Sequence, residues 1–492
     1  MKPQKALRLR QIDSTVLWHP FTQMACYADE SPPPPLIVRA EGNWLVDLGG
    51  KRYLDANAGY WCLALGCRPE AVERAVHAQL HKFAHSTLLG LSHLPALKLA
   101  ARLTSLAGPP LNHVFFADSG SEAVEAALKM AYQFQVHSGH PERSEFLALG
   151  AAYHGDTLGA VAVGGIDLFH ATFKPLLFRV RRLPPPHCYR CPWHRAPRTP
   201  DTIGVSGPRR CRMECAQEME RLIARHHAKL AAVVIEPFVL GPGGVIPQPE
   251  GYLERVVSAA RRHGVLLIFD EVAVGMGRLG TVFAFEQLQC RGHLTLPRAG
   301  GTPALPEPAR GEENGRSTPD LVCLAKGLTA GLLPLSAVLA TERVYRAFLG
   351  TYAQQRTFFH GHTFTGSALG CAAALAALKT LAAPAFLRKL REKTIPAFWH
   401  ALEPLREHPH VGDLRGRGLM AGVELVQDKR SGLDYPWAER YGHRVVLAAR
   451  KRGVNTRAIG NIVLAVPPLT IKPAEISLLG KVLYESVEEA TS

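Results

Sequence analysis

The segment VLLIFDE, residues 265–271, decides the fold class of this chain of 492 residues. Five apolar residues of strand length run directly into two carboxylates, Asp270 and Glu271. A continuous apolar run of this length is typical of a strand buried on both faces of a parallel sheet. Burying a carboxylate at the strand end is costly unless it meets a cationic partner, so Asp270 is a candidate binding residue. A solvated strand-end acid is the alternative interpretation.

Similar apolar runs recur on both sides of this segment. His113–Ala117, Leu230–Ile235 and Leu321–Leu324 have the length and composition of buried strands. Residues 121–134 and 253–262 place their apolar side chains at helical spacing. Strands that alternate with helices predict an α/β protein whose large domain is built on a mostly parallel sheet.

The predicted domains are arranged around that sheet. Residues 81–375 form the large domain, and residues 376–492 mix short strands with helices, as expected of a smaller α+β domain. Residues 1–80 are expected to contribute to the smaller domain. They include a predicted hairpin over residues 44–55, with Gly49 and Gly50 at its turn.

Composition limits the classes of function. The chain is 47% hydrophobic and 20% charged, which is typical of a globular protein. Its longest stretch without Asp, Glu, Lys or Arg, residues 357–378, contains His, Gly and Thr, so we expect no membrane span. The N-terminal residues develop no apolar signal segment. The net charge of +15 suits small anionic ligands, but no basic run is interleaved with aromatic residues, so we expect no nucleic-acid partner.

Two stretches lack periodicity and are rich in Pro, Gly, Arg or Cys, residues 183–215 and 291–319. Both are predicted to be long surface insertions. The first carries a C-x2-C pair and a C-x3-C pair, and four thiolates with such spacing can close a tetrahedral zinc site. Reduced thiols in a reducing compartment are the alternative that we favour, so no metal is expected. The four cysteines are Cys188, Cys191, Cys211 and Cys215.

Three further residues stand at the ends of predicted strands. Ser119 follows His113–Ala117 and fits a capping box at a helix start, where Gly120 lets free backbone amides approach an anion. Lys326 follows the strand at Leu321–Leu324, and burial there would lower its pKa and make it an amine nucleophile toward an aldehyde. Tyr153 follows an apolar run and can cover a flat heterocycle.

Taken singly, these residues have ordinary structural explanations: a capped helix, or a lysine whose side chain extends out of the core. Taken together, they supply a phosphate site, an acid for a ring nitrogen, an aromatic cover and an amine. This set is what pyridoxal 5'-phosphate requires of a protein.

At these residues the sequence resembles the class III pyridoxal-phosphate aminotransferases, over nearly its full length. The resemblance implies fold type I of the pyridoxal-phosphate-dependent transferases. The matching segments are DSGSEAVEAALKMA, YHGDTLGA, VVIEPF, LLIFDEVAVGMGRLG, LVCLAKGLTAGLLPLSAVLAT and HGHTFTGSALGCAAAL.

The resemblance also implies roles for individual residues. Lys326 would bond the cofactor covalently, and Asp270 would pair with its pyridine nitrogen. Tyr153 would stack on or orient the cofactor ring. A homodimer with active sites at its interface is implied, because Thr363 would reach the phosphate of the neighbouring subunit. The remaining cofactor-binding residues implied in this way are Ser119, Gly120 and His362.

The opening LWHPFTQM, residues 17–24, narrows the resemblance to the branch of the family that serves biotin synthesis. That branch aminates 8-amino-7-oxononanoate to 7,8-diaminononanoate, and Arg457 matches the arginine that binds the substrate carboxylate. Phe21 and Leu464 stand where some relatives carry tyrosines, so the identity of the amino donor stays open. The two candidates are S-adenosylmethionine and lysine. The residues implied to line the substrate pocket are Phe21, Tyr60, Tyr153, Gly361 and Lys326.

The expected protein is thus a cytoplasmic enzyme that acts on small molecules. Three alternatives remain at this stage. The first is another class III aminotransferase that acts on ω-amino acids or amines. The second is a zinc- or nucleic-acid-binding module built on the four cysteines and the arginines around them. The third is a relative of the same fold that binds the cofactor without catalysis, against which the intact lysine argues.

Overall fold

A seven-stranded sheet occupies the centre of the molecule in a computed structural model that describes residues 3–193, 211–289 and 318–492. The strands of the whole chain, in order, are β1 Ile37–Glu41, β2 Trp44–Asp47, β3 Arg52–Asp55, β4 Leu111–Ala117, β5 Glu145–Leu149, β6 Val180–Leu183, β7 Leu230–Ile235, β8 Val239–Leu240, β9 Ile246–Pro247, β10 Leu266–Asp270, β11 Leu321–Leu324, β12 Ser336–Thr341, β13 Val411–Arg417, β14 Met420–Asp428, β15 Leu433–Asp434, β16 Val454–Asn455, β17 Arg457–Ile459 and β18 Ile462–Ala465.

The helices alternate with these strands through the middle of the chain. They are α1 Pro3–Thr15, α2 Met24–Ala28, α3 Ala58–Trp61, α4 Glu70–Leu80, α5 Leu94–Ala107, α6 Gly120–His137, α7 Leu158–Val163, α8 Asp167–His170, α9 Glu214–His226, α10 Tyr252–Arg262, α11 Glu286–Gln289, α12 Glu342–Arg346, α13 Ala368–Leu381, α14 Pro384–Lys389, α15 Ile395–Leu402, α16 Tyr441–Lys451 and α17 Pro473–Thr491. Among the described residues no single helix is long and apolar enough to cross a membrane, and α13 with Pro384–Arg406 meets that test only as a pair bent by 59°.

The central sheet has the strand order β4-β12-β11-β10-β7-β5-β6. Every pairing is parallel except the two made by β12. Strands β7, β10, β11 and β12 are buried along their whole length, since helices cover both faces. The predicted mostly parallel sheet is confirmed, and the α/β architecture with it.

The sheet brings distant segments of sequence to one edge. Strands β10 and β11 run parallel, with Asp270 opposite Cys323. Asp270 is the last residue of β10 and Lys326 comes soon after β11, so both lie at the carboxyl ends of neighbouring strands. Ala117 ends β4 and pairs with Ser336 at the start of the antiparallel β12, which puts the end of β4 at the same edge. The candidate residues after all three strands therefore meet there.

Two smaller sheets flank this core. The predicted hairpin is confirmed, since β2 and β3 pair antiparallel with Leu45 opposite Tyr53. Strand β3 also pairs in parallel with β16 at Val454, so the N-terminal and C-terminal parts of the chain share one sheet. Strands β13, β14, β18 and β17, with β15 paired to β14, form the other sheet, and β8 and β9 form a separate two-stranded pair. The division at residues 80 and 375 remains a prediction.

The stretch at residues 183–215 corrects one expectation in its described part. It is not simply a surface insertion, because Tyr189 is 8% exposed and belongs to the buried core. Arg190 forms ion pairs with Glu424 and Asp434 of the C-terminal sheet. The segment is held inward because Glu424, 3% exposed, needs cationic partners. The predicted insertion at residues 291–319 lies outside the described residues, apart from its last two.

A buried acid secures the start of β11. Asp320, 1% exposed, accepts hydrogen bonds from Arg261 at 2.8 Å and Arg343 at 2.7 Å. It also accepts the backbone N–H of Leu267 at 2.9 Å, which ties β11 to β10. The carboxylate therefore fixes the register of the two strands that carry Asp270 and Lys326.

We expect Asp320→Ala to lower the free energy of unfolding by about 3 kcal/mol, because it leaves two guanidinium groups and a buried N–H without their acceptor. Urea unfolding at a fixed protein concentration measures this as a lower midpoint. Asp167→Ala is the control, since Asp167 is an exposed acid that pairs with Lys174 at 3.0 Å and should contribute less than about 1 kcal/mol. Equal shifts in the two variants would contradict the assignment.

Candidate active site

Lys326 lies directly after β11, with a positive φ of 41° that turns the chain at the edge of the sheet. Its Nζ atom stands 4.9 Å from the centre of the Trp61 ring. Burial lowers the pKa of the Lys326 ammonium below its ordinary value of 10.5, while the charges of Asp270 and Glu236 act in the opposite direction. A lowered pKa raises the fraction of neutral amine, which is the nucleophilic form.

The side chains of Asp270 and Glu271 point in opposite directions, as those of successive residues along a strand do. Glu271 turns into the protein and accepts the backbone N–H of Phe285 at 2.7 Å. Asp270 faces the cavity and accepts the N–H of Val272 at 3.0 Å. The sequence singled out both acids, and the structure leaves Asp270 as the one available to a ligand.

His154 holds the Asp270 carboxylate in place. Its Nδ1 lies 2.8 Å from Asp270 Oδ2, and the imidazole side chain is fully buried. The other ring nitrogen, Nε2, has no hydrogen-bond partner within the described residues. A buried polar atom without a partner is expected in the lining of a binding site, where a bound polar group would supply the missing hydrogen bond.

The start of α6 forms the predicted anion site. Ser119 is the N-cap and accepts the N–H of Glu122 at 3.3 Å, while the Glu122 carboxylate accepts the N–H of Ser119 at 2.7 Å. This confirms the capping box. A Cβ on Gly120 would lie 2.8 Å from Val272, so only glycine lets the backbone amides come this close to the sheet edge. The helix dipole adds partial positive charge there.

Tyr153 is fixed above the same edge by its own neighbours. Its hydroxyl donates to Asp156 at 2.7 Å, and its ring lies nearly parallel to that of His170, with centres 6.2 Å apart. The turn that follows packs against α6, since Gly155 has a φ of 123° and a Cβ there would overlap Ser121. The Tyr153 side chain, the predicted aromatic cover, is therefore held in place by these contacts.

Glu236 underlies this arrangement. It is 2% exposed and accepts the backbone N–H groups of Tyr153 at 3.0 Å and Gly241 at 2.8 Å. Burial raises the pKa of the Glu236 carboxyl to about 7, and the charge of Asp270 adds to the rise. Because its bonds fix the backbone of Tyr153, Glu236 positions the residue that is predicted to cover the cofactor.

These residues line one cavity of about 630 Å³. A volume of this size is usual for sites that hold a cofactor and a small substrate together. Of the predicted site residues, the cavity brings together Ser119, Gly120, Tyr60, Tyr153, Asp270 and Lys326.

Arg457 and Phe21 stand beside the cavity. The Arg457 guanidinium lies 4.8 Å from the centre of the Tyr60 ring, which lines the cavity, and 5.8 Å from that of Phe21. Two aromatic rings and one cation therefore meet here. Phe21 comes from the N-terminal segment, Tyr60 from the first turn after β3, and Arg457 from the C-terminal sheet. Such a group can bind a carboxylate that is attached to an apolar chain.

The segment with Gly361, His362 and Thr363 does not line this cavity. His362 Nε2 lies 3.8 Å from the Glu122 carboxylate, near the start of α6. Gly361 and Thr363 are exposed. Their predicted contacts with cofactor and substrate stay predictions, and the contact predicted for Thr363 involves the neighbouring subunit.

Sequence reasoning assigned no role to three of the residues that shape the site: His154, Glu236 and Trp61. Two of them stood in segments quoted for the family resemblance, YHGDTLGA and VVIEPF. A histidine or glutamate beside a motif carries no periodicity that would indicate its partner. The contact of His154 with Asp270 joins positions 116 residues apart, so only the folded chain shows it.

The site fits pyridoxal 5'-phosphate. A helix N-terminus with a required glycine suits its phosphate, and the buried Asp270 suits a protonated ring nitrogen. Lys326 supplies an enclosed amine of lowered pKa for the aldehyde.

Comparison with known proteins identifies the class. The family model described as aminotransferase class-III matches residues 26–296 and 312–486. The chain belongs to the class III aminotransferases, and pyridoxal 5'-phosphate is its cofactor. This outcome confirms the fold type, the enzyme class and the cofactor that the sequence predicted.

The chain is also similar to individual aminotransferases. The adenosylmethionine-8-amino-7-oxononanoate aminotransferase of Geobacter sulfurreducens is 47% identical, over 98% of each chain. The crystal structure of the enzyme of the same name from Methanocaldococcus jannaschii is similar with a TM-score of 0.87 and 38% identity, covering 99% of this chain and 100% of that one. An amine transaminase from an uncultivated Pseudomonas species, solved in its PLP-bound form, has a TM-score of 0.82 at 33% identity, over 97% and 99% of the two chains.

The raised pKa of Glu236 predicts a pH dependence of stability. Between its ordinary pKa of 4.5 and about 7, the folded protein holds a proton that the unfolded chain has released. The free energy of unfolding of the cofactor-free protein should therefore fall as pH rises through this interval, by up to about 1.4 kcal/mol per pH unit from this group.

Glu236→Gln should remove that part of the slope, although the amide also lowers stability at every pH by facing a backbone N–H. Denaturant unfolding at several values between pH 5 and 8 measures the slope for both proteins. Glu407→Gln, at an exposed position, is the matched control and should keep the wild-type slope. Parallel curves for wild type and Glu236→Gln would refute the buried titration.

Proposed function

We propose that this chain transfers an amino group to 8-amino-7-oxononanoate and so forms 7,8-diaminononanoate in biotin synthesis. The observation that carries the proposal is the placement of Arg457 beside Tyr60, at the side of the cavity that holds Lys326. The substrate has a carboxylate at the far end of an apolar chain from its reacting carbonyl. The names of the relatives from Geobacter sulfurreducens and Methanocaldococcus jannaschii support the same reaction.

Pyridoxal 5'-phosphate, when bound, supplies an aldehyde for the amino group and a ring that withdraws electrons from the reacting carbon. The chain's own residues do the rest. Lys326 would hold the cofactor through its amine, and its Nζ atom would move a proton in the reaction. Asp270, fixed by His154, keeps a proton on the ring nitrogen. The amides at Ser119 and Gly120 bind the phosphate.

Tyr153 and Arg457 orient the reacting partners. The Tyr153 ring covers the cofactor face, held by Asp156 and by the backbone bond to Glu236. Arg457 binds the substrate carboxylate by charge-assisted hydrogen bonds, while Tyr60 and Phe21 pack against the apolar chain. Fixing both ends of the substrate presents its carbonyl to the amine, which lowers the entropic part of the barrier.

The amino donor is proposed to be S-adenosylmethionine, as the relatives' names indicate. Lysine is the second candidate. Phe21 stands where many members have a tyrosine that contacts substrate, and it carries no hydroxyl. Leu464 is 1% exposed on β18, opposite Arg457 on β17, so it offers no polar group to either donor.

We further propose a homodimer in the cytoplasm. The exposed Gly361 and Thr363 would then face the partner subunit, with Thr363 reaching its cofactor phosphate. Exposed aromatic groups on the same segment, Phe359 at 83% and Phe364 at 55%, support an interface there. The nine cysteines of the described residues are all free, which suits a reducing compartment.

Another class III aminotransferase, acting on ω-amino acids or amines, is the second candidate function. It is favoured by the likeness to the Pseudomonas amine transaminase. The guanidinium of Arg457 beside the cavity is the observation that ranks it second, because an amine without a carboxylate would leave that charge without a partner.

The direct test is turnover of 8-amino-7-oxononanoate by the purified holoenzyme with each donor in turn. We expect 7,8-diaminononanoate with S-adenosylmethionine or with lysine, detected by mass spectrometry. Lys326→Ala should lower kcat/KM by at least about 10³-fold, because both cofactor attachment and proton transfer are lost. Lys174→Ala, at an exposed surface position, is the control and should be fully active. Turnover of simple amines alone would replace this function by the second candidate.

Arg457→Leu should raise KM for 8-amino-7-oxononanoate by about 10- to 100-fold with a smaller change in kcat, since it removes charged hydrogen bonds to a part of the substrate that does not react. Steady-state kinetics at saturating donor measure the split. Arg444→Ala, which removes an exposed guanidinium stacked on Tyr441, should leave both constants unchanged. An unchanged KM in Arg457→Leu would show that another group binds the carboxylate.

A further inference from the structure

Phe21, which stands beside the cavity, has a backbone conformation that a bulky side chain rarely adopts. Its φ is 52°, in the left-handed region. Such a conformation is strained in a residue with a Cβ, and it persists only where the surrounding structure holds it. The ring of Phe21 meets those of Phe169 at 5.1 Å and the Arg457 guanidinium at 5.8 Å, yet the residue is 46% exposed. Other residues of its segment must therefore hold the backbone.

One carboxylate, that of Asp13 in the last turn of α1, binds residues on both sides of Phe21. Its Oδ1 atom lies 3.0 Å from His19 Nε2, and the Asp13 backbone carbonyl lies 3.3 Å from the same nitrogen. Because both of these oxygens are acceptors, Nε2 is the nitrogen that carries a proton and donates. The Tyr27 hydroxyl donates to Asp13 Oδ2 at 2.8 Å. We call Asp13, His19 and Tyr27 the N-terminal cluster.

The loop between α1 and α2 closes on this cluster. The centres of the His19 and Tyr27 rings are 4.3 Å apart, so the two side chains pack against each other as well as binding one carboxylate. Within the loop, the Thr22 hydroxyl donates to the Pro20 carbonyl at 2.9 Å. The backbone is thus fixed both at the turn that contains Phe21 and at the two ends of the loop.

The closed segment is anchored to the part of the fold that carries Arg457. Glu30, two residues after α2, forms an ion pair with Arg450 at 2.6 Å, and the Glu30 side chain is only 8% exposed. Arg450 belongs to α16, which packs against β17, the strand that begins with Arg457. Phe21 and Arg457 are therefore held by one packed unit, although 436 residues separate them in the chain.

We propose that His19 and Tyr27 are positioning residues for the acceptor substrate. Through Asp13 they hold the Phe21 ring where it packs against the apolar chain of the substrate, next to the carboxylate at Arg457. This inference rests on the proposed function, which makes 8-amino-7-oxononanoate the acceptor. The three residues of the N-terminal cluster do not line the cavity around the reactive lysine. Loss of the cluster should therefore weaken acceptor binding and leave cofactor attachment intact.

His19→Leu in the full-length holoenzyme removes the hydrogen bond to Asp13. We expect the KM for 8-amino-7-oxononanoate to rise by about 5- to 20-fold and kcat to change by less than about 3-fold, because Phe21 contacts a part of the substrate that does not react. The absorbance of the bound cofactor should stay as in wild type. His19→Gln is the conservative variant, since its amide N–H can still donate to the carboxylate, and it should keep KM within about 3-fold of wild type. Steady-state kinetics at saturating donor measure both constants.

His113→Leu is the matched control. His113 Nε2 lies 2.7 Å from a carboxylate oxygen of Glu342, and its ring stacks on that of Tyr345 at 3.7 Å, as His19 does with its own acid and tyrosine. Its side chain is 27% exposed, against 22% for His19. Because His113 does not line the cavity, its replacement should leave KM and kcat unchanged.

A double-mutant cycle separates positioning of Phe21 from a merely structural role. Phe21→Ala should itself raise KM, and His19→Leu should then add less than about 2-fold, because the ring that His19 positions is already gone. Independent effects that multiply in the double variant would overturn the proposal. So would an unchanged KM in His19→Leu, whether or not its Tm or its cofactor content falls.

Should His19→Leu fail to fold, Tyr27→Phe takes its place, because it removes only the hydroxyl that binds Asp13 and should raise KM by about 2- to 5-fold. If the wild type does not turn over 8-amino-7-oxononanoate, the proposed function is wrong, and the same variants are compared with the acceptor that the wild type does aminate. Hydrogen exchange of residues 16–24, followed by mass spectrometry, needs no substrate: it should be faster in the variant than in wild type. Equal exchange, or an equal KM for that acceptor, would overturn the inference.

Discussion

The structure depends on keeping one carboxylate, Asp270, at the end of a strand that is otherwise entirely apolar. A buried carboxylate must be hydrogen-bonded or paired, since its transfer from water costs several kcal/mol otherwise. The chain meets this requirement from two sides, with the N–H of Val272 and the imidazole of His154. Asp270 also lines the cavity, where the proposed protonated ring nitrogen would be its third partner.

Neighbouring residues follow from the same constraint. His154 reaches Asp270 only if the turn after β5 lies against α6, which explains why Gly155 has no room for a Cβ beside Ser121. The backbone of that turn is held in turn by Glu236. Lys326 then faces two acids and the ring of Trp61, in surroundings that lower its pKa and still leave its amine reachable. Cofactor binding and lysine reactivity are thus consequences of one packing arrangement.

The C-terminal sheet is joined to this centre by buried charges. Arg278, in the segment after β10, donates to the carbonyl of Leu419, and burial lowers its pKa to about 10. Glu424 of β14 lies between Arg190 and Arg415. Because a buried charge without its partner is costly, these contacts constrain how the sheet can shift. They fix the position of the sheet whose strand β17 carries Arg457.

The sequence by itself determined the architecture and pointed to the candidate site residues. Continuous apolar runs mark strands by their burial, and Lys326, Asp270, Ser119 and Gly120 stand next to those runs, so local patterns and the family resemblance were enough to locate them. Only the tertiary structure decided what these residues contact. The bond from His154 to Asp270 and the place of Arg457 beside Tyr60 each join segments far apart in the chain. Such contacts depend on how strands and helices pack, and packing leaves no periodic signal in the residues on either side.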